Sequence, residues 1–336
     1  MKDVLKIGVI GIGAIGQIHV ERISKVLKNG VVVAVSDVRK EFGEKYAKEN
    51  NCKYYEDGVE LINSQDVDAV MVTTIDAYHE FFVSECIKAG KFCFVEKPLA
   101  PDVEGCRNIV DLEIAGGKKL VQVGFMRRYD RGYNQLKELV DTKKLGEALM
   151  IHSAHRNPEV GKEFVNSFSV ENAMIHEIDL YRWMLNEEYV SAEVVYPKQT
   201  RHTHKDLKDP QIMYLTTESG IRIDVEAFVN ARYAYDIQCE VCFEEGVARL
   251  PDPANIGIKT EFNKLSGIYK SWSERFVDAY NIEIQQWIDN TLKGVVEGPS
   301  SWDGYVGQKV AAAASLARDN QKRVDIEVEA TPSFYK

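Results

Sequence analysis

The sequence predicts an α/β chain in two parts. The first is a doubly wound parallel sheet; the second is an α+β domain with an open, mostly antiparallel sheet. Three observations lead there. Short Val/Ile/Phe runs alternate with helix-length stretches up to Val123, a glycine-rich turn closes the first of these runs, and the rhythm changes after Gly124, with strand following strand from Val190 to Leu250.

Leu5–Ile10 is an apolar run ending in glycines, Ala14–Leu27 has helical periodicity, and Val31–Ser36 is a second buried run. Asp68–Thr73, Lys91–Val95 and Lys119–Val123 repeat the theme, with helix-like stretches at Ala77–Ala89 and Asp102–Ala115. Continuous apolar runs separated by helices are strands buried on both faces, as in a parallel sheet. Residues 1–124 therefore form a doubly wound domain. In residues 125–336 a helix (Gly132–Asp141) leads to a strand (Ala148–His155), a polar loop and a strong helix (Val170–Leu185). Strands then fill Val190–Leu250, with turns at Glu218–Gly220 and Glu244–Gly246, before the helices Ser273–Lys293 and Trp302–Arg318. Helices on one face of such a sheet leave the other in need of cover. A second copy of the chain is the simplest cover, so a homo-oligomer is expected.

Composition narrows the function classes. With 336 residues, 45% hydrophobic and 28% charged, the chain suits two soluble domains. No apolar run approaches the roughly 20 residues of a membrane span. The N-terminus passes straight into a strand with no export signal, so a cytoplasmic location is expected. A net charge of −10 repels phosphate backbones and anionic lipids, leaving a small uncharged polar molecule as the expected partner rather than nucleic acid or membrane. Six scattered cysteines fit a reducing compartment. Cys239 and Cys242 alternate on a strand and should face opposite ways, and no group has zinc-ligand spacing, so no metal is expected. His152 and His155 should likewise face opposite ways; His19 and His79 look ordinary, and His202 and His204 look solvated.

The clearest motif is Gly11-Ile12-Gly13-Ala14-Ile15-Gly16, between a strand and a helix. Gly11 permits the tight turn, Gly13 lets backbone N–H groups approach a pyrophosphate, and Gly16 lets the helix pack on the strand. Asp37 ends the second strand, where a carboxylate binds ribose hydroxyls and repels a 2′-phosphate, which favours NAD over NADP. Arg39, two residues on, softens that preference.

Two further segments carry candidate chemistry. Phe94-Val-Glu96-Lys97-Pro98 ends a buried strand, where open parallel sheets bind ligands. Lys97 is there either a lysine able to bond a reacting oxygen or a surface strand terminator; Pro98 suggests a cis bond. On the helix Val170–Leu185, Asn172, His176, Asp179 and Trp183 fall within a stripe of roughly 60° at 100° per residue. His176 is there either a general base or a partly buried histidine capped by Asp179.

Together the glycine motif, Glu96-Lys97-Pro98 and the His176 helix resemble the Gfo/Idh/MocA oxidoreductase family in order and spacing. Val121–Asp130, Ile151–Pro158, Tyr235–Glu240 and Trp302–Tyr305 extend the likeness over both domains. The resemblance implies a Rossmann domain, an open-sheet domain and usually a tetramer. It implies NAD-dependent oxidation of a secondary hydroxyl on a cyclitol, above all an inositol, or on a sugar. It makes Lys97 catalytic and His176 the base, with Asn172 beside them. It places Ile12, Ala14, Ile15, Arg39, Thr73, Thr74, His79 and Glu96 with the glycines and Asp37 at the cofactor. It puts Arg127, His155, Asn157, Tyr233 and Tyr280 around the polyol. Two departures stand out. Members acting on inositols typically carry Asp where this chain has Asn172, and often a Trp-containing loop where it has Thr73–Tyr78. A catalytically silent dinucleotide sensor is the alternative from another class.

Overall fold

The computed structural model describes residues 3–253 and 257–336. The chain divides into two compact units. The first comprises Met1–Phe125, Tyr280–Gln308 and Ala330–Lys336, and the second Met126–Ala279 and Lys309–Glu329. This differs from the sequence-based division at 124/125, because two C-terminal segments return to the first unit. Contiguous periodicity carries no sign of such a return.

In the first unit six strands form a fully parallel sheet: β1 (Leu5–Ile10), β2 (Gly30–Ser36), β3 (Lys53–Tyr55), β4 (Ala69–Val72), β5 (Phe92–Glu96) and β6 (Val121–Gly124). Their order is β3-β2-β1-β4-β5-β6, the doubly wound arrangement whose strand ends form a ligand crevice. Every residue of β4, β5 and β6 is buried, as the continuous apolar runs require. The intervening helices are α1 (Ala14–Lys25), α2 (Lys40–Glu49), α3 (Gly58–Asn63), α4 (His79–Lys88) and α5 (Val103–Gly116). Periodicity names no element over 40–63, where α2, β3 and α3 lie; these are short, and β3 sits at the sheet edge. The returning segment closes the core: the buried Trp287 ring meets Phe94 edge-on, centroids 5.7 Å apart. Truncating a buried aromatic of this kind costs about 3–5 kcal/mol.

The second unit is built on a seven-stranded sheet. After α6 (Arg131–Thr142), whose first turn is capped by the Asp130 carboxylate, come β7 (Ala148–Arg156), α7 (Ile175–Leu185), β8 (Tyr189–Val195), β9 (Gln211–Thr217), β10 (Arg222–Phe228), β11 (Asp236–Phe243) and β12 (Val247–Arg249). A small exposed hairpin, β13 (Gly257–Thr260) and β14 (Asn263–Ser266), precedes α8 (Trp272–Arg275), α9 (Val277–Lys293) and α10 (Ser301–Asn320), and β15 (Val324–Asp325) follows. The order is β12-β11-β7-β10-β9-β8-β15, antiparallel except for the parallel pair β7 and β10.

Burial alternates along β9, β10 and β11, so one sheet face is core and the other polar. The polar face carries cross-strand polar contacts: His152 Nδ1 lies 2.5 Å from Asp224 Oδ1, and Arg156 pairs with Glu226 at 2.6 Å. Cys239 is buried on β11 while Cys242 is partly exposed, so the two thiols belong to opposite faces as expected. His152 and His155 also separate, the former on the polar face and the latter buried.

The expected continuous helix Val170–Leu185 is corrected by the structure. Ser169–Met174 is a π-helical turn, and the α-helix begins at Ile175. The wider i→i+5 turn breaks the 100° stripe drawn through Asn172 and His176; such turns concentrate at functional sites.

Candidate functional site

The turn after β1 is shaped by contacts that only glycine tolerates. Gly11 has φ +87°, and a Cβ there would lie 2.7 Å from the Thr74 amide nitrogen. A Cβ at Gly16 would lie 2.2 Å from the Gly11 carbonyl oxygen. Thr73 pins the turn, its hydroxyl donating to the Gly11 carbonyl at 2.6 Å. Gly13 differs: among the described residues, a Cβ added there would meet no atom within 4 Å, so the space in front of it is open to a ligand.

Helix geometry leaves the N–H groups of Ala14 and Ile15 at the head of α1 without intrahelical acceptors. No acid lies in that first turn, and Arg22 and Lys25 lie in the last. This polarity suits a pyrophosphate. Asp37 ends the crossover: Oδ2 accepts from the Ile12 N–H at 3.1 Å, and Arg39 donates to Oδ1 from Nε at 2.8 Å. Burial alone would raise the Asp37 carboxyl, but the bonds from Arg39 and Ile12 outweigh it and lower its pKa. A lowered pKa keeps the carboxylate charged for ribose hydroxyls. The Thr74 hydroxyl oxygen is buried with no partner among the described residues. Open space at Gly13, a charged acid at Asp37 and an unmet hydroxyl at Thr74 fit a dinucleotide.

Lys97 follows β5 directly and is half-buried, and its bond to Pro98 is cis. Behind it, the His79 ring is 1% exposed, with Nδ1 2.6 Å from the Pro98 carbonyl and Nε2 3.2 Å from that of Thr74. The His79 ring thus lies between the two loops, with a carbonyl oxygen of each facing one of its nitrogens. The Glu96 carboxylate is likewise buried, 2.7 Å from His19 Nε2.

In the second unit His176 lies in the first turn of α7 and is 8% exposed. Its ring centroid is 6.5 Å from that of His155 on β7. Beneath them Glu177 is fully buried and shared: the Arg127 guanidinium donates to it, and His155 Nδ1 lies 3.2 Å away. Burial would raise the Glu177 carboxyl, but the charges of Arg127 and His155 prevail and hold it down at about 2. Burial works against the Arg127 cation too, yet Glu177 raises its pKa, and the guanidinium also sits over the Phe276 ring. The Asp179 carboxylate bonds to the Arg128 guanidinium, Nε to Oδ2 at 2.8 Å. Asn157 follows β7 and keeps a buried side-chain oxygen with no partner among the described residues, an acceptor available to a hydroxyl. Asn172 lies on the π-turn and is half-buried.

The structure thus groups Arg127, His155 and His176 in one unit, and Gly11–Ile15, Asp37, Arg39, Thr73, Thr74, His79, Glu96 and Lys97 in the other. Tyr233 is 52% exposed, and its hydroxyl bonds Arg156 and Asp236. Tyr280 belongs to the first unit, its ring 5.6 Å from that of His19. His204 is not simply solvated: Nε2 lies 3.0 Å from the Phe164 carbonyl. Sequence reasoning also missed Glu177 and His19. The signal for each was a titratable residue on a buried helix face: Glu177 spaced with Met174 and Tyr181, and His19 with Gly16 and Ile23.

The first unit is therefore a dinucleotide-binding Rossmann domain, and known proteins agree. Residues 5–125 match the model of an oxidoreductase family with an NAD-binding Rossmann fold, and residues 133–249 match the C-terminal domain model of the same family. The chain belongs to the GFO/IDH/MocA oxidoreductase family. It is 47% identical to an inositol 2-dehydrogenase of Pseudomonas savastanoi pv. phaseolicola, over 98% of this chain and 99% of that one. It is 46% identical to an inositol 2-dehydrogenase of Burkholderia cenocepacia, over 99% of both. Among solved structures it resembles myo-inositol dehydrogenase from Lactobacillus casei in complex with NAD(H) and myo-inositol. That likeness has a TM-score of 0.97 and 40% identity, covering 99% of this chain and all of that one.

Proposed function

We propose that this chain is an NAD-dependent dehydrogenase that oxidises a secondary hydroxyl of an inositol to the ketone. The observation that carries this is the near-complete structural likeness to a relative solved with NAD(H) and myo-inositol, joined to a glycine turn and acid that fit the cofactor. NAD, when bound, accepts the hydride. Gly13, Ala14 and Ile15 offer backbone N–H groups to its pyrophosphate, and Asp37 binds ribose hydroxyls and disfavours a 2′-phosphate. Lys97 Nζ donates a hydrogen bond to the alcohol oxygen and stabilises the negative charge that develops there. A ring nitrogen of His176 takes the hydroxyl proton. Arg127 and His155, fixed by Glu177, and Asn157 hold further hydroxyls. We assign the enzyme to cyclitol catabolism as a cytoplasmic homotetramer. Six free cysteines support a reducing, cytoplasmic setting, and the resemblance to the family supports the tetramer. No helix of the described residues is long and apolar enough to cross a membrane.

The test is purified protein with NAD and a panel of inositol stereoisomers, followed by NADH absorbance. Turnover of at least one is expected, and no turnover of any discards the proposal. Lys97→Met should abolish turnover with NAD affinity nearly intact; a normal rate removes Lys97 from the chemistry. Asn172, an amide that cannot act as a base, favours a second reading: a sensor that binds NAD and turns nothing over.

A further inference from the structure

His19 has surroundings unlike those of an ordinary core histidine. It lies on the inner face of α1 between Gly16 and Ile23 and is fully buried. A neutral imidazole has one donor and one acceptor nitrogen, and both are engaged here. Nδ1 is 2.6 Å from Arg22 Nη1, and Nε2 is 2.7 Å from Glu96 Oε1. A guanidinium only donates, so Nδ1 accepts and the ring proton sits on Nε2, donated to Glu96. Burial lowers the pKa of the imidazole despite the opposing pull of Glu96, which suits a neutral ring between a cation and an acid.

Glu96 directly precedes Lys97. With Oε1 on His19, its Oε2 accepts from the Lys97 backbone N–H at 3.3 Å. Gly124, at the end of β6, leaves room for this carboxyl group, since a Cβ there would lie 3.1 Å from Oε2. The far end is anchored as well: Arg22 Nε donates to Asn281 Oδ1 at 2.8 Å, and its guanidinium lies 5.0 Å from the Tyr280 ring centre. A buried chain of hydrogen bonds therefore runs from α9 through Arg22, His19 and Glu96 to the backbone that carries Lys97. Buried polar groups are costly to leave half-satisfied, so each link fixes the next.

We infer that His19 is a positioning residue for Lys97: by holding the Glu96 carboxyl group, it sets the peptide from which the lysine projects. The inference rests on the proposed contact of Lys97 with the reacting hydroxyl. Leucine at position 19 would fill much of the volume but leave Glu96 and Arg22 without their bridge. Glutamine offers an amide donor and acceptor and can restore part of it.

The test compares His19→Leu, His19→Gln, Lys97→Arg and the double variant His19→Leu/Lys97→Arg, with NAD and myo-inositol. Three quantities are read: kcat, NAD dissociation constant and thermal midpoint. Misplacing a reacting group by an ångström costs up to about 100-fold in rate. His19→Leu should therefore lower kcat at least about tenfold while the NAD dissociation constant stays within about threefold, and His19→Gln should recover most of the rate. Lys97→Arg keeps a cation and should retain a measurable residual rate, and adding His19→Leu to it should cost little more, because residues acting through one another are not additive. Wild-type kcat in His19→Leu overturns the inference. So do parallel losses of rate and NAD affinity that glutamine does not rescue, or fully additive losses in the double variant. If His19→Leu does not fold, His19→Gln decides: a rate within about threefold of wild type in a folded protein supports the bridge, and a rate no better than about a tenth opposes it. If Lys97→Arg and Lys97→Met both match wild type, the lysine reading itself fails, a result distinguishable from failure at His19.

Discussion

The glycine turn of the first unit and the His176 region of the second are both sites, but they are written differently in the chain. The turn is local: Gly11, Gly13, Gly16 and the strand and helix that frame them occupy one short stretch, and Gly16 is held to glycine by the Gly11 carbonyl within that stretch. The His176 region is assembled from afar. Its buried polar side chains, Arg127, His155 and Glu177, come from a 3-10 turn before α6, a strand and a helix. A local motif is robust because few contacts define it. A distributed cluster is rigid only while every member is present.

The largest expected effect breaks that cluster. Glu177→Gln leaves Arg127 buried without its carboxylate, and breaking a buried ion pair by removing one partner costs about 3–5 kcal/mol. Urea unfolding at neutral pH should show the loss as a lower midpoint. The carboxyl is depressed to about 2 in the folded protein. Its stabilisation is therefore present above the unfolded-state value of about 4.3 and is lost as pH falls toward 2. The difference between wild type and variant should shrink over the same interval. An unchanged midpoint at neutral pH would mean the cluster is dispensable, and the contrast with the turn would collapse.

This contrast also explains what could be read from the sequence. The parallel sheet, the glycine turn and Asp37 follow from periodicity and spacing, because their causes lie within a few residues of their effects. Lys97 is visible as a residue ending a buried strand. The partners of Glu177 and His19 are not, since Arg127 and Glu96 lie 50 and 77 positions away. The π-turn at Ser169–Met174 escaped for another reason: at 100° per residue it is indistinguishable from the helix it joins. The return of Tyr280–Gln308 to the first unit is equally silent, because amphipathic helices announce that they pack, not against what.

A smaller effect sharpens the description of the turn. An added methyl at Gly13 meets no atom of the described residues, whereas one at Gly16 meets the Gly11 carbonyl. Gly13→Ala should therefore leave the thermal midpoint of the free protein unchanged and weaken NAD binding about 100-fold, or about 2.7 kcal/mol, by blocking the approach of the pyrophosphate. Calorimetric titration alongside thermal unfolding separates the two quantities. A drop in midpoint with NAD affinity retained would show that Gly13 serves the fold, like Gly16, and not the ligand.

The smallest effect concerns a polar position where the second unit departs from the family pattern. Asn172 lies on the π-turn that feeds His176. An amide does not stabilise an imidazolium as a carboxylate does. Asn172→Asp should raise the basicity of His176 and increase kcat about tenfold, equivalent to about 1.4 kcal/mol of barrier. The same charge moves the acidic limb of the kcat profile to higher pH, because an imidazole that holds its proton more strongly must be titrated further before it can accept another. The gain should therefore be largest above neutrality and vanish at low pH. A gain that is uniform across pH would assign residue 172 to substrate binding instead, and an unchanged rate and limb would show that residue 172 does not act on His176.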